Sequence, residues 1–222
     1  MTTARLPELR EITGPWWDGK PTVIVGAGPS IPQDFDFNQL RDRFHVLAVK
    51  QMHRHLPFAD LCFAIDHPWM RRQEDELRDK KVPLLLGVYN ELPRKHPLFD
   101  HASYVEMRAD DGLSLNPSIV FHGGTSGYGA IGAAFHKRAR DIFLLGFDYK
   151  VLDNGAGGEI HHHKNEDYPW YPRRNRRYWE RWGRSFELIA AGLKKQGVRV
   201  RNVSSISSIT AFERTTYEEL LA

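Results

Sequence analysis

Cysteine is almost absent from this 222-residue chain: Cys62 stands alone within Leu61-Cys62-Phe63-Ala64-Ile65. A single thiol excludes disulfides within the chain, and its apolar setting predicts a small buried side chain in a reducing, cytoplasmic compartment. Long apolar runs are missing too. None approaches the ~20 residues that a membrane span requires, and no apolar stretch follows Met1-Thr2-Thr3-Ala4-Arg5, so neither a span nor a signal peptide is expected. Charge of one sign is scarce. The 31 Lys and Arg against 28 Asp and Glu leave a net +3, which permits a polyanionic partner without requiring one. No internal repeat and no long linker divide the sequence. At this length the expectation is one domain over residues 1–222 with one sizeable core.

What is present is a regular alternation. Strand-like runs fall at Val23–Val25, Val46–Val49, Leu61–Ile65, Leu84–Val88, Tyr104–Met107, Ile119–Phe121, Ile142–Leu145 and Val198–Val203. Several are continuously apolar, the pattern of strands covered on both faces. Between them Trp69–Lys80, Ser126–Arg140 and Arg173–Gln196 read as helices. The expected fold is therefore α/β: a single Rossmann-like, mostly parallel, doubly wound sheet with helices on both faces. Ligands in such sheets bind beyond the carboxyl ends of the strands. That rule selects Gly26–Ser30, Lys50, Asp66, Gly123–Ser126 and Asp148.

Two of these segments are glycine-rich. Thr22-Val23-Ile24-Val25-Gly26-Ala27-Gly28-Pro29-Ser30 runs from a strand into a turn able to aim N–H groups at an anion. Gly123-Gly124-Thr125-Ser126-Gly127 does the same before a helix of small residues, where Ser126 would cap the helix beside a phosphate. The pair predicts a nucleotide or nucleotide-sugar site at Gly26, Gly28, Pro29, Ser30, Gly124, Thr125, Ser126 and Gly127. The first loop lacks the third glycine of the dinucleotide fingerprint and carries Pro29, which argues against NAD.

Other side chains supply candidate chemistry. Asp66 and Asp148 end apolar strands, where a carboxylate would hold Mg²⁺ against a diphosphate, accept from a ribose hydroxyl, or simply cap a neighbouring turn. One of His161, His162 and His163 would serve as a general base, because imidazole titrates near neutral pH. These histidines follow Asp153-Asn154-Gly155-Ala156-Gly157-Gly158, and residues 151–172 read as a lid closing over the site. Downstream, Tyr168, Arg173, Arg176 and Arg177 belong to a basic, aromatic stretch through Arg184. It would hold a phosphate-bearing acceptor or nucleic acid, while Trp179, Trp182, Phe186, Ile189 and Leu193 form a core-facing stripe.

Taken in order, Val23-Ile24-Val25-Gly26-Ala27-Gly28-Pro29-Ser30, Thr125-Ser126-Gly127, Ile142-Phe143-Leu144-Leu145-Gly146-Phe147-Asp148-Tyr149 and His163-Lys164-Asn165 resemble the bacterial sialyltransferases. The same set is similar to their relatives, the 6-hydroxymethylpterin diphosphokinase-like proteins, within the Rossmann-like, GT-A-type transferases. The resemblance implies a CMP-sugar held by the first loop and the Thr-Ser-Gly loop. It places the base on His162, with His161 or His163 as substitutes. Where the sialyltransferases carry asparagines this chain has Lys50 and Asp66, and Gly123 or Gly124 replaces their arginine. The donor implied is thus a CMP-sugar, another nucleotide-sugar, or ATP with Mg²⁺.

The function expected from all this is a glycosyltransferase using a nucleotide-activated sugar and a hydroxyl acceptor, such as a modified nucleic-acid base. The alternatives are a Mg-ATP-dependent pyrophosphoryl transferase and a non-catalytic nucleic-acid-binding module.

Overall fold

The computed structural model describes residues 16–79, 82–89, 102–150 and 176–222, with the side chains of residues 176–180 set aside. Among the described residues nine strands form one sheet: β1 (Thr22–Val25), β2 (His45–Val49), β3 (Leu61–Ala64), β4 (Leu84–Val88), β5 (Ala102–Arg108), β6 (Ile119–Phe121), β7 (Asp141–Leu145), β8 (Arg199–Asn202) and β9 (Glu213–Arg214). Their order is β6-β5-β4-β3-β2-β1-β7-β8-β9, and all eight pairings are parallel. The chain builds outward from β1 to β6, then returns to the other side of β1. The order therefore reverses between β1 and β7, where Thr22–Val25 lies in register with Ile142–Leu145.

Both faces of the sheet are apolar, as continuous strand runs require. Ile24, Leu47, Phe63 and Leu85 point to one face. There they pack against α3 (Ser126–His136) and α4 (Arg176–Lys195) through Tyr128, Ile131, Phe186, Ile189 and Leu193. Val23, Val25, Ala48, Cys62 and Leu86 point to the other face. It is covered by α1 (His67–Arg72), α2 (Glu74–Asp79) and α5 (Tyr217–Leu221) through Trp69, Met70, Leu77 and Leu220. Cys62 is buried as expected, and burial pushes its thiol up to about 12. Trp17 joins the core, its ring stacked on His45, while Trp16 lies under the Arg138 guanidinium.

Helix boundaries differ from the sequence pattern for local reasons. The stretch expected as one helix over 69–80 is two, α1 and α2, separated by Gln73. The small-residue helix stops at His136 rather than Arg140. Arg138 beyond it takes a left-handed conformation (φ 70°), the usual way a helix is closed. Its cap is Thr125, not Ser126: the Thr125 hydroxyl accepts from the Tyr128 N–H at 3.2 Å. Its glycines serve close packing, since a Cβ on Gly129 would sit 2.9 Å from the Phe63 ring.

Candidate functional site

The carboxyl edge of the sheet at β1 and β7 is where a doubly wound fold opens a crevice. Here two loops interlock. Gly26 N–H donates to Leu145 O at 2.7 Å and Gly28 N–H to Gly146 O at 2.9 Å. A Cβ on Gly28 would fall 2.5 Å from both Gly146 O and Asp148 Oδ2, and one on Gly146 (φ 69°) 2.5 Å from Gly26 O. Glycine is required at both because backbone meets backbone. Two N–H groups of the first loop are thereby committed to the protein.

Asp148 completes the interlock. Its side chain is buried, and its two oxygens accept from Ser30, Oδ2 from the N–H at 2.7 Å and Oδ1 from the hydroxyl at 2.5 Å. It caps a turn 118 residues away in sequence, the turn-capping role open to a strand-ending aspartate. Tyr217 of α5 donates to Ser30 O at 2.9 Å, and burial, then the Asp148 charge, raises its pKa.

Past β2 and β3 lies a second group. Lys50 Nζ and Asp66 Oδ2 pair at 2.8 Å, while Asp66 Oδ1 accepts from the Trp69 N–H at 3.1 Å and so caps α1. Burial works against the Asp66 charge, but the Lys50 ammonium outweighs it and holds the carboxyl below the usual range. The loop before α3 reaches both groups. Ser126 Oγ accepts from the Ile65 N–H at 3.3 Å, and Thr125 Oγ1 and Tyr149 Oη share a 2.7 Å hydrogen bond. Gly127 gives Tyr149 room, since a Cβ there would lie 2.5 Å from its hydroxyl.

A serine-rich strap after β8 holds this edge from outside. Ser208 donates through its N–H to Asp148 O (2.8 Å) and through its hydroxyl to Tyr149 O (2.5 Å). Ser207 donates to Phe147 O at 2.6 Å, and Arg214 ties the carbonyls of Ser204, Ser207 and Ile209 together. Helix α4 comes up to the same edge: a Cβ on Gly183 would lie 2.9 Å from Ser208 Oγ, and one on Gly124 would lie 2.9 Å from the Trp182 indole nitrogen.

The structure thus brings together Gly26, Gly28, Ser30, Lys50, Asp66, Gly124, Thr125, Ser126, Gly127 and Asp148 on one edge. Phe186, Ile189 and Leu193 are core residues, as the stripe implied. His161, His162, His163, Tyr168 and Arg173 lie outside the described residues, and Arg176 and Arg177 open α4 with side chains that are not described. Tyr149 and Ser208 were not singled out from sequence, because their roles depend on contacts from distant loops.

Each carboxylate is engaged within the protein. Both Asp66 oxygens and both Asp148 oxygens already accept from protein donors, and Asp66 shares its charge with Lys50. Among the described residues no group of three His, Cys, Asp or Glu is placed to hold a metal ion. None of the helices there is long and apolar enough to cross a membrane.

No protein-family model and no curated protein sequence matches this chain. Among solved structures it is similar to the MAf glycosyltransferase from Magnetospirillum magneticum AMB-1, at 16% identity and a TM-score of 0.56. The match covers 96% of this chain and 36% of that one, so the chain spans about a third of its length. The fold is Rossmann-like α/β and glycosyltransferase-like.

Proposed function

We propose that this chain is a transferase of the glycosyltransferase kind, which takes a nucleotide-activated sugar and delivers it to a hydroxyl acceptor. The observation that carries the reading is the convergence at the carboxyl edge. The 123–126 loop, singled out for phosphate, opens an 11-residue helix, with Ser126 bonded to the Ile65 N–H beside Asp66 and Thr125 bonded to Tyr149. The first loop shapes the same edge, its Gly26, Gly28 and Ser30 N–H groups being engaged within the protein. A helix N-terminus favours negative charge. The glycosyltransferase-like fold supports the same reading, as does the resemblance to the sialyltransferases.

In this proposal His162 takes the acceptor proton as its oxygen attacks the anomeric carbon, and the nucleotide leaves with the bonding electrons. No step passes through a metal, because Asp66 and Asp148 are engaged. For the same reason the Mg-ATP pyrophosphoryl reading gains no support from either carboxylate. A purely nucleic-acid-binding role gains nothing from Phe186, Ile189 and Leu193 of the stripe, which are core.

The test is thermal stabilisation by CMP, UDP and their sugar conjugates, each with and without Mg²⁺, with ATP as comparator. A ligand at 100 times its dissociation constant adds about 2.7 kcal/mol. A shift with CMP or UDP compounds that does not need Mg²⁺ is expected; a shift confined to Mg-ATP overturns the proposal. His162→Ala should keep that shift while turnover falls by about 10²–10⁴.

A further inference from the structure

Away from the β1–β7 crevice, the carboxyl edge carries a second polar arrangement over the end of β5. Tyr89 follows β4 directly and His122 follows β6 directly. Their side chains meet, with Tyr89 Oη 3.2 Å from His122 Nε2 and the rings edge to face. His122 is buried, whereas Tyr89 is 46% exposed.

The proton positions follow from the partners. Gly124 N–H donates to His122 Nδ1 at 3.0 Å. A backbone N–H is only a donor, so Nδ1 must present its lone pair and the neutral ring carries its hydrogen on Nε2. Burial keeps His122 in that neutral form, although the Asp110 and Asp111 carboxylates pull the other way. Nε2–H then donates to Tyr89 Oη. With its oxygen accepting from inside, the exposed Tyr89 hydroxyl has its own hydrogen to offer outward.

We propose that Tyr89 is a ligand-contacting residue of this edge, with His122 as its positioning residue, and that the subsite takes a neutral, hydroxyl-bearing group such as a sugar ring. The charge of the surroundings selects that class. Asp110 and Asp111 stand close enough to act on His122, so an anion would be repelled, whereas a hydroxyl accepts the Tyr89 hydrogen bond without penalty. The subsite also connects to the loop already described. The Thr125 N–H donates to His122 O at 2.7 Å, one residue from Ser126, and the Thr125 hydroxyl is the one bonded to Tyr149. A group on Tyr89 would therefore lie along the same edge as a ligand on the 123–126 loop. The inference rests on the transferase reading for its meaning, as the place where a sugar ring of donor or acceptor is held.

The experiment labels the Tyr ring carbons and assigns Tyr89 with the Tyr89→Phe variant. Methyl glycosides of glucose, galactose and N-acetylglucosamine are titrated separately from CMP, UDP and inorganic phosphate, and backbone amides are followed in the same samples. The Tyr89 resonance should move with at least one glycoside and not with phosphate or either nucleotide. Tyr89→Phe should weaken that glycoside by up to about tenfold, the worth of one neutral hydrogen bond. His122→Asn preserves an acceptor for the Gly124 N–H but cannot reach Tyr89, and it should weaken the glycoside similarly while the protein stays folded. If no glycoside moves Tyr89, or phosphate does, the subsite is overturned. If His122→Asn binds as wild type, its positioning role is overturned. The transferase reading fails separately: nucleotides that shift no amide of residues 26–30 or 123–127 remove it, whatever Tyr89 does.

Discussion

Asp148 offers the sharpest test of how the crevice is built, because its two oxygens hold a turn from the far end of the sequence. Hydrogen bonds to a charged group contribute about 1.5–3 kcal/mol each. Asp148→Ala removes both bonds to Ser30 and leaves its half-buried N–H without its acceptor. The expected loss is about 3–5 kcal/mol, against a stability of about 5–15 kcal/mol for an ordinary domain. Asp148→Asn is a different perturbation. Its carbonyl oxygen can accept from the Ser30 N–H while its amide donates to the Ser30 hydroxyl, so only the charge assistance goes and about 1–2 kcal/mol is lost. Ser30→Ala removes the hydroxyl bond alone and should cost about 1.5–3 kcal/mol. Added to Asp148→Ala it should cost little more, since the two changes delete the same contact. Urea unfolding at pH 7 reads all four proteins. With a slope near 2–3 kcal/mol per M, Asp148→Ala should lower the midpoint by more than about 1 M at unchanged slope. An Asp148→Ala protein within about 1 kcal/mol of wild type, or an Asp148→Asn protein as damaged as Asp148→Ala, would refute the clamp.

Two further predictions concern buried bases near the opposite edge. Lys137 is fully buried beside the Trp17 ring, and burial lowers its pKa to about 8 although the Asp60 charge opposes this. Between pH 8 and its ordinary value near 10.5 the unfolded chain binds the extra proton, so this group adds stability as pH rises through that window. Lys137→Met should therefore be the more stable protein at pH 7, by on the order of 1–3 kcal/mol, and its advantage should vanish by about pH 10.5 in parallel urea titrations. His136 behaves in the opposite pH range, its pKa lowered by burial to about 4. As pH falls from 6.5 to 4 the unfolded chain gains a proton that the fold refuses, at a cost of about 3 kcal/mol by pH 4. His136→Gln should flatten that acid limb in a pH series of melting curves; an unchanged slope would show that His136 is not its source.

The sheet was legible because its strands are apolar on both faces. All eight strand runs read from sequence appear in the sheet, and their alternation with helices dictated parallel pairing. β9 escaped notice because Glu213 and Arg214 are exposed and charged, and its existence depends on pairing with Arg201 and Asn202. The final helix did carry a signal, Thr216 with Glu219 three residues on, and the structure completes that capping box. The loops at 26–30 and 123–126 were visible as glycine, but not what the glycines do. Sequence shows the conformational freedom of Gly28; only the fold shows that the space beside it is filled by Gly146 and Asp148. Likewise, Asp66 and Asp148 at strand ends were visible as carboxylates, whereas their partners Lys50, Trp69 and Ser30 appear only in the fold. Tyr89 and His122 lie 33 residues apart with β5 between them, and no spacing rule joins them.

Backbone strain gives the edge a further property. Among the described residues four non-glycine residues have positive φ: Asp42, Lys50, Arg138 and Tyr149. Asp42 is a residue type that tolerates the left-handed region, and Arg138 closes a helix in the usual way. Lys50 and Tyr149 have no such local excuse, since each comes just past a strand, β2 or β7, at the carboxyl edge. Such conformations cost about 1–3 kcal/mol and persist only where surrounding contacts impose them. Here those contacts are the Lys50–Asp66 pair on one side, and on the other the Thr125 and Ser208 bonds to Tyr149. Lys50 and Tyr149 are therefore held before a ligand arrives, which reduces the ordering cost of binding. The described edge is nevertheless not cationic, because Lys50 is balanced by Asp66, and Arg214 faces the Asp148 charge. A diphosphate bound there needs further positive charge. Helix α4 can supply it: Arg181 and Arg184 are exposed next to Trp182, which lies beside Gly124, and Arg176 and Arg177 precede Trp182 by six and five residues, about 8–9 Å of helix rise. In the proposed transferase, the basic stretch thus serves the leaving nucleotide rather than a nucleic acid. Its loss should weaken UDP or CMP and leave the Tyr89 subsite untouched.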